Sequence, residues 1–227
     1  NIEIAITGYQ IALTIFTLDA FPQDWAGTQN NLAGAYYNRI RGERAENLEQ
    51  AILACKQVLQ VYTVDAFPYE WAVMQNNLIN LYRERITGNK AENLELAITA
   101  AKEALKVRTV DAFPLEWAMT QNNLATAYLY RIRGNRGENL EQAIIACQQA
   151  FTVYSIDTFP YEWATLQNNL ALAYRDRIKG DRSENLEQAI TACQNSLQIF
   201  SLDDFPVNWA GIQAIMGSTY SDRIKGD

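Results

Sequence analysis

Histidine is absent from this chain of 227 residues. Its absence removes the commonest general base, the commonest metal ligand and every His-based catalytic triad. Cysteine is confined to Cys55, Cys147 and Cys193, and three thiols without histidine make a poor zinc site. Neither a glycine-rich phosphate loop nor a nucleophile motif is present. No stretch approaches the roughly 18 apolar residues of a membrane span, and the first residues lack the basic start and apolar core of a secretory signal. Lys and Arg form no run, and the formal charge of −7 with a pI near 4.8 repels phosphate backbones. The composition therefore points to a cytoplasmic, folded protein with no enzyme activity, metal, cofactor, nucleic acid or membrane to serve.

What is present is periodicity. Tryptophan occurs only at Trp25, Trp71, Trp117, Trp163 and Trp209, each 46 residues after the one before. The same step carries Phe21-Pro22, Phe67-Pro68, Phe113-Pro114, Phe159-Pro160 and Phe205-Pro206, which use all five prolines, and Gly42, Gly88, Gly134, Gly180 and Gly226. A fixed period of this length marks a stacked repeat.

Within one period, Trp25, Gln29, Leu32, Tyr36 and Ile40 fall on one helical stripe, here helix A. Pro22 suits its first turn and Gly42 its end. Leu48, Ala51, Ile52, Cys55, Val58, Leu59 and Tyr62 form the stripe of helix B, predicted to end near Thr63. Asn47 reads as the N-cap of helix B, with Gln50 completing a capping box. A single amphipathic pair cannot bury its apolar faces, so pairs must stack into one continuous core. The expectation is an all-α, right-handed α-solenoid over residues 1–227, a single array of ten helices with repeats starting at Phe21, Phe67, Phe113, Phe159 and Phe205. The tryptophans are expected in its core.

The segment Asn31-Leu32-Ala33-Gly34-Ala35-Tyr36, followed by Ala51-Ile52 and Val58-Leu59, resembles the tetratricopeptide (TPR) repeat, as do Leu124, Ala125 and Tyr128 between Ala97 and Ala143. The likeness spans the chain, with departures. The period exceeds the usual 34 or so residues, Gln29 stands at the family's Trp position, and Gly after Leu is kept only at Gly217. Longer variants of this kind occur in kinesin light chains and in large bacterial proteins that join repeats to protease or nucleotide-hydrolysing modules.

Each position of the repeat forms a column. The Gln29, Gln75, Gln121, Gln167 and Gln213 column reads as structural, since buried amides need partners. Arg39, Arg85, Arg131, Arg177 and Arg223, near the end of helix A, are expected to pair with Glu46, Glu92, Glu138 and Glu184 on the surface. Cys55, Cys147 and Cys193 share a column with Tyr9 and Ala101 and read as small core residues, about 10 Å apart at the closest and beyond disulfide reach.

The resemblance implies that Asn30, Asn76, Asn122 and Asn168 face a concave groove. It also implies that Asn31, Asn77, Asn123 and Asn169 match the asparagine that grips a ligand backbone or carboxylate in peptide-clamping relatives. These amides serve either to hold an extended peptide or to tie adjacent repeats together. Columns that stacking does not dictate complete the predicted partner surface, with Asn80, Arg83, Thr126, Tyr130 and Arg175 as its candidate contacts. Only Arg83 and Arg175 could supply the cations of a carboxylate clamp.

Asn1-Ile2-Glu3 aligns with Asn47-Leu48-Glu49, so the chain begins in helix B and ends, at Gly226-Asp227, after a helix A. This register predicts a fragment of a longer array, with end-to-end self-association through uncapped terminal helices as an expectation. The functional expectation is a protein- or peptide-binding scaffold using the groove of A helices. The alternative is a sensor or regulatory arm of a multidomain bacterial effector.

Overall fold

The computed structural model describes residues 1–224. Among them are ten helices and no strand: α1 (Ile2–Ala12), α2 (Pro22–Tyr37), α3 (Arg44–Val58), α4 (Pro68–Glu84), α5 (Lys90–Val107), α6 (Pro114–Leu129), α7 (Arg136–Ala150), α8 (Pro160–Asp176), α9 (Arg182–Leu197) and α10 (Pro206–Ile224). The odd-numbered helices are the B helices and the even-numbered ones the A helices, so the permuted register holds. The chain falls into two compact units, Asn1–Thr109 and Val110–Asp227. Unit 1 contains α1 to α5 and unit 2 contains α6 to α10, and consecutive helices pack on one another within each.

Every A helix opens the same way. Phe21, Phe67, Phe113 and Phe159 take φ near −140°, and the following proline occupies the first helical position. Proline there gives up an N–H that the helix would leave unpaired and supplies a suitable φ. The first helical bond then runs from the tryptophan N–H to the phenylalanine carbonyl, at 2.9 Å for Trp25 and Trp71. The phenylalanine ring packs on an aromatic residue that closes the preceding B segment, with centroids 5.3 Å apart for Tyr62 and Phe67 and 5.4 Å for Tyr154 and Phe159. Arg108, buried, stands in that aromatic column ahead of Phe113.

Helix B begins earlier than its apolar stripe suggests. The glycine turn, with φ near +76° at Gly42 and Gly88, lets the chain reverse and enter the helix two residues later. Asn89, Asn135 and Asp181 are the caps, their side-chain oxygens accepting from amides of the first turn. Asn47 is therefore not the cap but an interior residue of α3, and Gln50 completes no capping box there. Nor does Gly42 end helix A: α2 stops at Tyr37 and the glycine shapes the connection. The other end differs as well, since α3 stops at Val58 and the chain continues to Tyr62 in tighter turns, Val61 N–H bonding Val58 O at 3.0 Å. The fifth glycine of the series, Gly226, lies outside the described residues.

The core is built from small residues at close helix crossings. Ala26, Ala72, Ala118 and Ala164 are fully buried in the A helices, and Ala51, Ala97, Ala143 and Ala189 in the B helices. Leu48, Leu94, Leu140 and Leu186 fill the space beside them. The five tryptophans are only half-buried. A ring that large is seldom wholly covered, and it is the alanine following Trp25, Trp71, Trp117 and Trp163 that is fully buried, whereas Ala210 is exposed. Gln29 and Gln121 are buried, while the remaining members of that column are half-buried.

Candidate functional site

Interactions repeated from one helix pair to the next separate the residues committed to the scaffold from those that are not. Arg39 forms a bidentate pair with Glu3 at 2.8 and 2.7 Å, Arg85 with Glu49 at 2.6 and 2.7 Å, and Arg177 with Glu141 at 2.8 and 3.0 Å. Arg223 meets Glu187 at 2.9 Å. These acids lie on the preceding B helix, so the pairing corrects the expected local partners Glu46, Glu92, Glu138 and Glu184. Planar guanidinium–carboxylate geometry of this kind is the strong form of an ion pair. The hydrogen bond from Arg85 holds the Glu49 carboxyl below the usual range, and Arg177 does the same to Glu141.

The former cap candidates complete each clasp. Asn47, Asn93, Asn139 and Asn185 are buried. Their amides donate to the connection carbonyls of Arg41, Thr87, Arg133 and Lys179 at 2.8 or 2.9 Å, and their oxygens face the clasp arginines. A third column does similar service at the first position of helix B. Arg44, Lys90, Arg136 and Arg182 donate to the carbonyls of Tyr37, Arg83, Leu129 and Arg175 at the end of helix A. Arg44 also reaches Glu84 at 2.8 Å, Arg136 reaches Asp176 at 3.2 Å and Arg182 reaches Asp222 at 3.2 Å, all on the next A helix.

The predicted partner residues divide on inspection. Asn169 is buried, and its amide donates to Asn122 Oδ1 at 2.8 Å and to Thr126 Oγ1 at 3.3 Å, so in unit 2 these three residues tie α6 to α8. Arg175 is held by Asp176 at 2.9 Å. Asn76 is buried, Asn30 and Asn123 are half-buried and Asn31 is exposed. In unit 1 no such tie is made between α4 and α2: Asn77 bonds neither Asn30 nor Gly34, which stands in the place of Thr126 and offers no hydroxyl.

Asn77 and Asn80 are half-buried, and among the described residues their side chains have no hydrogen-bond partner. With Gly34, Tyr37, Ala33, Leu81 and Cys55 they line a cavity of about 120 Å³ between α2 and α4. Tyr37 closes one side, its hydroxyl donating to Glu84 at 2.7 Å and its ring lying under the Arg44 guanidinium, 4.9 Å from the centroid. Burial and the Glu84 carboxylate raise the Tyr37 phenol above its ordinary value. Arg83, half-buried, follows Asn80 on the same helix.

Unit 2 has a broader groove of about 370 Å³ across α6, α8 and α10, lined by Tyr130, Asn168 and Leu172 and by Val207, Gly211 and Ile215 of α10. Tyr130 is 57% exposed. The asparagine column ends there, with Ile215 in the place of Asn169. Gly34, Tyr37 and Leu172 belong to the variable columns expected to face the groove, and they line these spaces, although the candidate contacts did not include them.

The thiols are sealed. Cys55, Cys147 and Cys193 are free and fully buried, and burial pushes their pKa up to about 12, 12 and 11. No group of three or more His, Cys, Asp or Glu among the described residues could hold a metal ion. No helix of the described chain is long and apolar enough to cross a membrane.

Antiparallel helix pairs clasped at a 46-residue interval define an all-α helical-repeat protein. A tetratricopeptide repeat family model matches residues 25–62 and 163–206, so these two segments carry tetratricopeptide-like repeats. No curated protein matches it. Repeats of this family generally mediate protein–protein interaction, on a scaffold that is typically non-catalytic.

Proposed function

We propose that this protein is a peptide-binding scaffold whose ligand lies along the A helices. The observation that carries the reading is the contrast within one column. Asn169 is consumed by contacts between helices, whereas Asn77 and its neighbour Asn80 present unpaired amides beside a cavity. Amides with both donor and acceptor suit the alternating N–H and C=O groups of an extended peptide. Tyr130 and Asn168 border the groove of unit 2 and supply a second contact of the same kind. The acidic balance disfavours nucleic acid as the ligand, and three free thiols fit a reducing cytoplasm.

The test uses a peptide array of random extended sequences probed with the whole chain. Asn77→Ala/Asn80→Ala is expected to lose the bound peptides while retaining its helical signal and melting temperature. Asn169→Ala is expected to destabilise the fold instead. Retention of every peptide by the double variant would refute the assignment.

A further inference from the structure

The cavity beside Gly34 differs from its surroundings in three respects that bear on what could enter it. First, it exists because a side chain is missing. The corresponding positions carry Asn80, Thr126, Leu172 and Ser218, and only in the first repeat is the position bare. A Cβ added at Gly34 would meet nothing within 4 Å, so the space is open rather than occupied by a neighbour. Second, its floor is apolar. Ala33 and Leu81 are buried, and Cys55 is wholly buried with a thiol that burial keeps protonated. Third, the acid bonded to its Tyr37 wall is already engaged. Glu84 accepts from Tyr37 at 2.7 Å and from Arg44 at 2.8 Å, one on each carboxylate oxygen.

Resting on the peptide-binding reading above, we propose that this cavity is a side-chain pocket for a branched aliphatic residue of the bound peptide, such as leucine or valine. Asn77 and Asn80 hold the peptide backbone on either side of it. An aliphatic cavity of roughly 150 Å³ holds a benzene-sized group. The space of about 120 Å³ found here matches a four-carbon side chain and is too small to enclose an indole. A charged side chain would lose its hydration against Ala33, Leu81 and Cys55 without gaining a partner, so Asp, Glu and Lys are excluded. In unit 2 the equivalent position carries Thr126, whose hydroxyl instead bonds Asn169, so the pocket belongs to unit 1.

The experiment measures binding of capped nonapeptides, alanine and serine throughout except for one central residue, by amide chemical shifts of Asn77 and Asn80 in the intact chain. Leucine or valine at the centre is expected to bind about tenfold more tightly than glycine, the discrimination a small apolar pocket provides, with lysine and aspartate weaker than glycine. Gly34→Val is expected to erase that tenfold preference and leave the weak, side-chain-independent binding, since valine fills the space and offers Asn77 no hydroxyl. Its added atoms enter open space, so its melting temperature should match the wild type. Gly34→Ala gives an intermediate preference and guards against misfolding of the valine variant. Equal binding of all central residues would overturn the pocket while sparing the peptide-binding reading. Absence of any shift at millimolar peptide would overturn both. Shifts from 3-methylbutan-1-ol alone as strong as those from the leucine peptide would show a small-molecule site and overturn the peptide assignment.

Discussion

The buried asparagine of each clasp makes the sharpest claim about what holds the repeats together, and Asn93 is its best test. Asn93 is 2% exposed, donates to the Thr87 carbonyl at 2.9 Å and accepts from Arg85 Nη1 at 3.4 Å. Asn93→Ala removes one neutral hydrogen bond, typically about 1 kcal/mol, and one longer bond to a charged donor, of about 0.5–1 kcal/mol at this distance. Adding the small void left by the amide gives about 2 kcal/mol in all. For a chain of this length that is a fall of about 4–8 °C in melting temperature. The companion variant is Asn89→Ala, which deletes an exposed N-cap bonded to Ala91 and Glu92 and should cost about 1 kcal/mol. Urea unfolding followed by circular dichroism at 222 nm would rank the two, with the slope of the transition checked because repeat arrays can unfold in stages. The reasoning fails if Asn89→Ala proves the more damaging, or if Asn93→Ala costs less than about 0.5 kcal/mol.

Glu49 and Glu141 have carboxyls held below the usual range, chiefly by Arg85 and Arg177. Their contribution to stability is complete above the unfolded pKa, near 4.3, and is lost as pH falls through the lower folded value. Glu49→Gln should therefore flatten the acid limb of stability against pH below about 4, and an unchanged limb would dismiss the clasp as an acid sensor. Asn169→Ala should cost about 1–2 kcal/mol, since it breaks the bonds to Asn122 and Thr126, whereas Asn77→Ala, in the same column, should change stability by less than about 0.5 kcal/mol. Chemical denaturation separates these two, and equal costs would contradict the division of the column. Gly88→Ala places a side chain at φ +76°, where L-residues are disfavoured, and should lower stability by about 1 kcal/mol although a Cβ there meets nothing closer than 3.8 Å.

Much of this architecture was legible in the residues. Pro22 and its equivalents marked the start of every A helix because proline at the first helical position carries a direct backbone consequence. The tryptophan spacing fixed the period without an alignment. What misled was proximity in sequence. Asn47 stands just before an apolar stripe and looks like a cap, yet the left-handed glycine turn at Gly42 starts the helix sooner, and Asn89, Asn135 and Asp181 do the capping. Arg39 lies near Glu46 in the chain, but its partner is Glu3, 36 positions away on another helix. Tryptophan looked like core, whereas the small residue beside it is what allows helices to approach. The candidate site was half legible: the asparagine columns could be found, but not which members are consumed by packing. Thr126 against Gly34 is one visible difference between the two, and its place beside the asparagines appears only once α2 is seen beside α4 and α6 beside α8.

The three cysteines, one column shared by α3, α7 and α9, amount to a set of built-in clocks. A thiol with a pKa near 12 is almost entirely protonated at neutral pH, and a fully buried one cannot meet an alkylating reagent. Labelling of Cys55, Cys147 or Cys193 must wait for its own stretch of helix to open and release a thiol of ordinary acidity. The rates at the three positions, resolved by mass spectrometry, would convert into three local opening free energies. They would show whether unfolding runs along the chain from one end or begins in its interior, with no engineered probe.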